Sequence, residues 1–236
     1  LKDDVPIKNN PSEFLIKEIN KDKLYNFLRE MEFNRLLSQA ISFYGEPTDK
    51  NFKGATLEKK ITKIDRKSYK SILKESELDS LIKELNEKTV IAVDTETSSL
   101  NPQEASLVGI SISHEISKAH YIPVGHKEVD GLKKELVLKK LKTILEDPSI
   151  KKVGQNIKYD FIIFKNHGIE LNSIEDTMLL SYTLDAGNNR HNMDTLSEIH
   201  LGHKTIAYKD LVGTGKKQLN FSEVDLKSAT EYAAED

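Results

Sequence analysis

Two carboxylates one residue apart, Asp94 and Glu96 in TVIAVDTETSSL (89–100), close a run of β-branched and apolar residues that reads as a buried strand. Side chains at i and i+2 of a strand leave it on the same face. Two carboxylates held there repel unless a proton or a cation stands between them. Three further pieces carry polar groups at spacings that a helix brings together. GQNIKYD (154–160) holds Asn156 and Asp160 four apart, which helical i,i+4 geometry puts on one face. HNMDTLSE (191–198) starts a helix with Asp194, and EYAAED (231–236) sets Tyr232 and Asp236 four apart. Singly, each piece also describes an ordinary strand end or a solvated helix face. Together, three carboxylates from separate elements plus a fourth describe a pocket that is unstable without cations. Oxygen ligands without His or Cys suit Mg²⁺ or Mn²⁺ rather than zinc. A pair of such ions about 4 Å apart serves in-line attack on a phosphodiester.

The elements that must hold these groups follow from the hydrophobic pattern. The strand over 89–95 is followed by LVGISISH (107–114), which alternates, and by AHYIPVG (119–125). Gly109 inside a strand predicts a bulge or a close backbone approach. Residues 133–146 predict a helix closed by Asp147-Pro148. KKVGQN (151–156) is a short strand leading into the helix IKYDFIIFKNHG, which Gly168 stops. EDTMLLSYTLDAG, MDTLSEIHLG and LKSATEYAAED are further helices, the last opened by Asp225 or Ser222. Ahead of the first strand, SELDSLIKELNEK predicts an amphipathic helix capped by Ser76 or Ser80. Strands in succession, then helix–strand–helix, make a mixed α/β plan. A buried strand in such a sheet presents its carboxyl end at the site region, which is where Asp94 and Glu96 stand.

Residues 12–44 predict helix, with Leu24, Phe27, Leu28, Met31, Leu36 and Leu37 near helical spacing, Asn20 as cap, and Gly45 then Pro47 as stop. Residues 46–68 are polar, carry seven Lys or Arg from Lys50 to Lys67, and predict a linker with a solvated charge run. The 236 residues suit one domain with an appendage. The sequence starts at Leu1 and ends inside its last predicted helix, and reads as a piece of something larger. With no Cys, a disulfide scaffold and a thiolate zinc site are excluded. A net charge of −3 excludes an overtly basic nucleic-acid binder. Residues 1–68 carry 14 Lys/Arg and 11 Asp/Glu, leaving 21 and 27 for residues 69–236. An acidic module acts on phosphates when its carboxylates hold divalent metals. No apolar run approaches the roughly 20 residues of a membrane span, and Leu1–Asn10 shows no secretory pattern. A soluble, cytoplasmic protein is the expectation. GTGKK (213–217) lacks phosphate-loop spacing and predicts a turn. His200 and His203, without a third ligand, predict structural or exposed side chains rather than zinc.

The order D-T-E-T-x-S-L, K-V-G-Q-N-x-K-Y-D, R-H-x-M-D-T-L, H-K-T-I and Y-A-A-E-D resembles the 3′→5′ exonuclease (proofreading) domain of bacterial DNA polymerase I, a DEDD exonuclease. The resemblance covers residues 69–236 and implies an RNase H-like mixed sheet flanked by helices. Residues 1–45, with DVPI and LYNFLREMEFNRLL, more loosely resemble the tail of the 5′-nuclease domain that precedes it, an N-terminal helical appendage. The resemblance implies that Asp94, Glu96, Asp160 and Asp236 bind two divalent ions, Mg²⁺ or Mn²⁺. Tyr232 would orient the attacking water with help from Glu96. Leu100 would wedge against the terminal base, and Asn156, Arg190 and Tyr208 would touch the substrate strand. It implies a single-stranded DNA 3′ end as partner, and a polymerase domain after residue 236. Two other readings share the residues: a catalytically idle DNA-holding module, and an RNA-trimming exonuclease of the RNase D type.

Overall fold

A computed structural model describes residues 6, 14–15, 18–47, 66–215 and 218–236. The start of the helix expected from residue 12, most of DVPI, residues 48–65 of the expected linker, and 216–217 of GTGKK lie outside the described residues. The chain divides into two compact units, Leu1–Glu58 and Lys59–Asp236.

In the first unit the single helical span expected over 12–44 is two helices, α1 (Lys21–Glu30) and α2 (Asn34–Tyr44). The reason is Glu32, at φ 56, a left-handed conformation that no right-handed helix contains. The break lets Tyr25 and Leu28 pack with Leu37 in a small core. Asn20 caps α1, accepting from Lys23 N at 3.0 Å. Gly45, at φ 85, ends α2, and its carbonyl accepts from the Tyr25 hydroxyl at 2.5 Å.

The second unit is built on a six-stranded mixed sheet. In chain order its elements are β1 (Lys70–Ser71), α3 (Glu75–Asn86), β2 (Val90–Thr97), β3 (Leu107–Glu115), β4 (Lys118–Pro123), α4 (Lys134–Leu145), β5 (Lys151–Gly154), α5 (Lys158–Asn166), β6 (Ile174–Asp176), α6 (Thr177–Asp185), α7 (Met193–Leu196), α8 (Tyr208–Val212) and α9 (Leu226–Ala233). The strands lie in the order β1-β4-β3-β2-β5-β6. β2 pairs antiparallel with β3 and parallel with β5. Ile91 and Val93 of β2 join the main core with Leu78, Leu81 and Leu85 of α3, Leu141 and Ile144 of α4, and Phe164 of α5. Alternation puts Ala92, Asp94 and Glu96 on the opposite face. Beneath α9 a smaller cluster forms from Val108, Tyr121, Phe221, Ala229 and Ala233.

The register between β2 and β3 slips where the carboxylates stand. Glu96 pairs with Gly109 but Thr97 pairs with Leu107, so Val108 is an extra residue in β3. A bulge reverses the alternation beyond it. Ile110 and Ile112 therefore face the main core while Val108 faces the cluster under α9. The close approach expected at Gly109 comes from a side chain rather than a backbone. A Cβ there would lie 2.1 Å from the Tyr121 hydroxyl, so glycine makes the room for this ring beside Glu96.

Several expectations need correction. Neither Ser76 nor Ser80 caps α3; Lys74 is the cap residue, and the Glu77 carboxylate accepts from Leu73 N and Lys74 N, each at 3.0 Å. Glu175 and Asp176 are not helical but end β6, which parallel pairing with β5 holds. Asp176 then caps α6 through Met178 N and Leu179 N. MDTLSEIHLG is α7 followed by a π-helical turn, Ser197–Leu201. Asp225, not Ser222, caps α9. Among the described residues no helix is long and apolar enough to cross a membrane.

Candidate active site

The end of β2 supplies the floor. Asp94 and Glu96 project on the α9 side, and the residue between them secures a third carboxylate. Thr95 donates from its backbone N at 2.9 Å and from Oγ1 at 2.5 Å to Asp160 Oδ1. Asp160 sits in the first turn of α5 and is 2% exposed. The fourth carboxylate arrives from α9. The helix ends at Ala233, but Ala234 keeps helical angles and Asp236 N reaches Tyr232 O at 3.4 Å. The i,i+4 relation therefore survives, and it sets the Tyr232 hydroxyl beside the Asp236 carboxylate. The Tyr232 ring stands 6.0 Å from Phe221 and 6.0 Å from Tyr208.

These carboxylates hold protons unusually tightly. Burial, then Asp160, Glu96 and Asp236, raise Asp94 well above the usual carboxylate range. Burial, then Asp236 and Asp160, push Glu96 up to about 8. Asp236 is an exposed residue whose carboxyl lines a cavity; enclosure there, then Glu235 and Asp194, raise it to about 7, against the neighbouring Tyr232 hydroxyl. Burial raises Asp160 to about 6, while Thr95 pulls it down. Tyr232 is raised by burial and by Asp236, Glu96 and Asp94, so its hydroxyl stays protonated at any working pH. The charged groups acting on Asp94, Glu96 and Asp236 are all acidic.

All-oxygen donors from β2, α5 and the end of α9, mutually repelling and without a basic partner, fit hard divalent cations. Among the described residues, no group of three or more His, Asp or Glu side chains is arranged as a ready-made metal site. Asp160 is instead held by protein, through its two hydrogen bonds from Thr95.

The four residues expected along the strand path are distributed unevenly. Tyr208 opens α8 and reaches the Tyr232 ring. Leu100 lies in the loop after β2 and is 95% exposed. Arg190 is also exposed. Asn156 does not share a helical face with Asp160. It precedes α5 at φ 58, so the i,i+4 argument does not apply to it. Its backbone N donates to Asp176 Oδ1 at 3.0 Å, and its side-chain oxygen accepts from Lys158.

Three residues beside the site were not singled out by spacing. Thr95 was visible only as the x of D-x-E. Tyr159, next to Asp160, shares a 2.6 Å hydrogen bond with Thr97 Oγ1 and donates to Ser99 O, tying α5 to the loop that carries Leu100. Glu235 is buried and accepts from Arg66, His203 and Ile206. His203 is therefore structural, as expected, and His200 is exposed.

The 3′-5′ exonuclease family profile matches residues 69–236. DNA polymerase I of Rhizobium leguminosarum is 41% identical over 193 residues, 73% of this chain and 19% of that protein. DNA polymerase I of Pseudomonas aeruginosa is 34% identical over 242 residues, 100% of this chain and 26% of that protein. The chain thus spans about a quarter or less of the length of these curated relatives. Among solved structures, the EXO domain of Aedes aegypti Nibbler has a TM-score of 0.56 at 14% identity, covering 75% of this chain and 85% of that one. Escherichia coli RNase D, an exoribonuclease involved in structured RNA processing, has a TM-score of 0.53 at 23% identity, covering 71% of this chain and 41% of that one. These two likenesses show the fold, an RNase H-like sheet.

Proposed function

We propose, on the premise that the chain belongs to the 3′-5′ exonuclease family of DNA polymerase I, that it trims single-stranded DNA 3′ ends with two divalent cations as the proofreading part of a polymerase. The observation that carries this is the convergence of four carboxylates beside Tyr232, with no basic partner to balance them. Asp94, Glu96, Asp160 and Asp236 would hold Mg²⁺ or Mn²⁺. Such ions, when bound, supply Lewis-acid stabilisation of the charge that builds on the phosphodiester oxygens and ease deprotonation of water.

The chain's own residues do the positioning. Tyr232 stays protonated beside Asp236, so it orients the attacking water by hydrogen bonding rather than by taking its proton. Glu96 assists that orientation. Thr95 fixes the carboxylate of Asp160 with two hydrogen bonds. The exposed Leu100 side chain offers an apolar wedge to the terminal base. Tyr208 offers a face for stacking, which suits any base. Asn156 and Arg190 would contact the strand. Water adds to phosphorus and the P–O3′ bond breaks, releasing a nucleoside 5′-monophosphate and leaving a new 3′ hydroxyl. Residues 1–45 would be the tail of a 5′-nuclease domain, residues 46–68 a linker, and the polymerase domain would follow residue 236.

The test is a 5′-labelled single-stranded DNA incubated with the protein and Mn²⁺, beside an RNA of the same sequence. A ladder shortening from the 3′ end of the DNA, lost in EDTA and in Asp94→Ala, is expected. Faster shortening of the RNA would replace this reading with RNA trimming. No ladder from folded protein would leave a DNA-holding module.

A further inference from the structure

The H-K-T-I segment and the Glu of Y-A-A-E-D have no part in the chemistry above, yet the fold joins them. The Glu235 side chain is 1% exposed. Its Oε1 accepts from Arg66 at 2.9 and 2.6 Å and from His203 Nε2 at 2.8 Å; its Oε2 accepts from Ile206 N at 2.6 Å. One carboxylate therefore gathers three separated segments: the approach to β1, the loop before α8, and the last turn after α9. The loop is itself closed, because Ser197 Oγ donates to His203 O at 3.1 Å and Thr205 Oγ1 to Asp194 Oδ1 at 2.6 Å.

What these segments carry gives the network its place. Asp236 is the next residue after Glu235, and Tyr232 is three before it. Tyr208 starts two residues after Ile206, with its ring 6.0 Å from Tyr232. Within the turn that carries Asp236, Glu235 N and Asp236 N both donate to Tyr232 O, at 3.0 and 3.4 Å. The Glu235 carboxylate, buried among four donors, adds a second hold on that turn, because releasing it exposes an unpaired charge to the interior.

We infer that Glu235 is a positioning residue for the proposed nuclease reaction: its clamp on Arg66, His203 and Ile206 N sets where Asp236, Tyr232 and Tyr208 stand. This rests on the reading of the site as a divalent-cation nuclease. The clamp touches no reacting atom. It acts through its neighbour, in the way that outer partners hold ligands in register. Misplacing reacting groups by about 1 Å costs on the order of a hundredfold in rate. Loss of part of the clamp moves the turn by less.

The test uses the intact polypeptide and Glu235→Gln, with Arg66→Ala as a second variant whose side chain is 41% exposed. Three quantities are read well below every melting temperature. They are the single-turnover rate on saturating DNA, the DNA dissociation constant in Ca²⁺, and Mn²⁺ affinity from loss of the free-ion resonance signal. For Glu235→Gln the expected result is a rate about tenfold lower and Mn²⁺ binding weakened to a similar degree, with DNA affinity in Ca²⁺ lowered by less than either. For Arg66→Ala a smaller loss is expected, and the double variant should lose less than the product of the two. Wild-type rate and wild-type Mn²⁺ affinity in folded Glu235→Gln would overturn the inference. So would a change confined to the melting temperature. If the wild type binds Mn²⁺ but cleaves nothing, the proposed reaction fails, and the Mn²⁺ comparison still decides the clamp.

Discussion

Residues 235 and 236 are neighbours in the chain, and their carboxylates live in opposite electrostatic worlds. Glu235 is enclosed by Arg66, His203 and a backbone N–H, so its charge is matched within the protein. Among the described residues Asp236 stands with acidic groups only: Glu235 and Asp194 act on it, and it acts in turn on Asp94 and Glu96. The first arrangement is that of a structural ion pair. The second leaves charge that the protein does not balance, and proteins keep such imbalance where something else supplies the balance. The lesson is that position in the chain says little about a carboxylate's role. What surrounds it decides.

The largest effect should come from the unbalanced pocket. Asp94→Ala should slow DNA trimming by about a thousandfold or more, since ~4 kcal/mol of transition-state stabilisation is lost with a cation. Melting in EDTA should not fall, because the variant no longer has to enclose a carboxyl that water would ionise. Single-turnover degradation with parallel melting curves checks this, and a variant retaining a tenth of the rate would erase the distinction between the two pockets. The balanced pocket should respond the other way. Glu235→Ala should destabilise the fold by about 2–3 kcal/mol, below the full value for a buried pair because Arg66 is partly exposed. Denaturant unfolding measures it, and a stability loss no greater than that of Asp94→Ala would count against the contrast.

Tyr232→Phe keeps the ring against Phe221 and Tyr208 and removes only the hydroxyl. It should cost about thirtyfold in rate with little change in melting temperature, the roughly 2 kcal/mol of one hydrogen bond to a charged group. A smaller effect is expected from pH. The raised carboxylates bind more protons folded than unfolded between the ordinary carboxylate range and about 8. In EDTA, stability should therefore fall as pH rises through that window. A melting temperature that climbs across the window would mean that the pocket is balanced after all. Smallest of all, Leu100→Ala should leave melting unchanged, since the side chain is 95% exposed, and slow trimming by about threefold through lost apolar contact.

Much of the site could be read along the chain because its signals are local. The strand ending in Asp94 and Glu96, the i,i+4 pair Tyr232 and Asp236, the Asn20 cap and the stop at Gly168 each depend on residues within one turn or one strand. What stayed hidden depends on distant partners. β1 is two residues long and exists through parallel pairing with β4. β6 looked helical because Glu175 and Asp176 abut a helix, and only pairing with β5 makes them extended. Asn156 had the right spacing for a helical face, and its positive φ set it off the helix. Arg66 and Glu235 are separated by 169 positions, and no local pattern announces such a pair.

One measurement tests the central claim, that the carboxylates at the end of β2 and α9 are left unbalanced by the protein and are completed by divalent cations. The melting temperature is recorded at pH 8 in EDTA and in excess Mn²⁺, for the wild type and for Asp94→Asn. The account predicts that Mn²⁺ raises the wild-type value, that Asp94→Asn melts higher than wild type in EDTA, and that the variant largely loses the Mn²⁺ response. A wild type indifferent to Mn²⁺, with Asp94→Asn melting lower in EDTA, would contradict it.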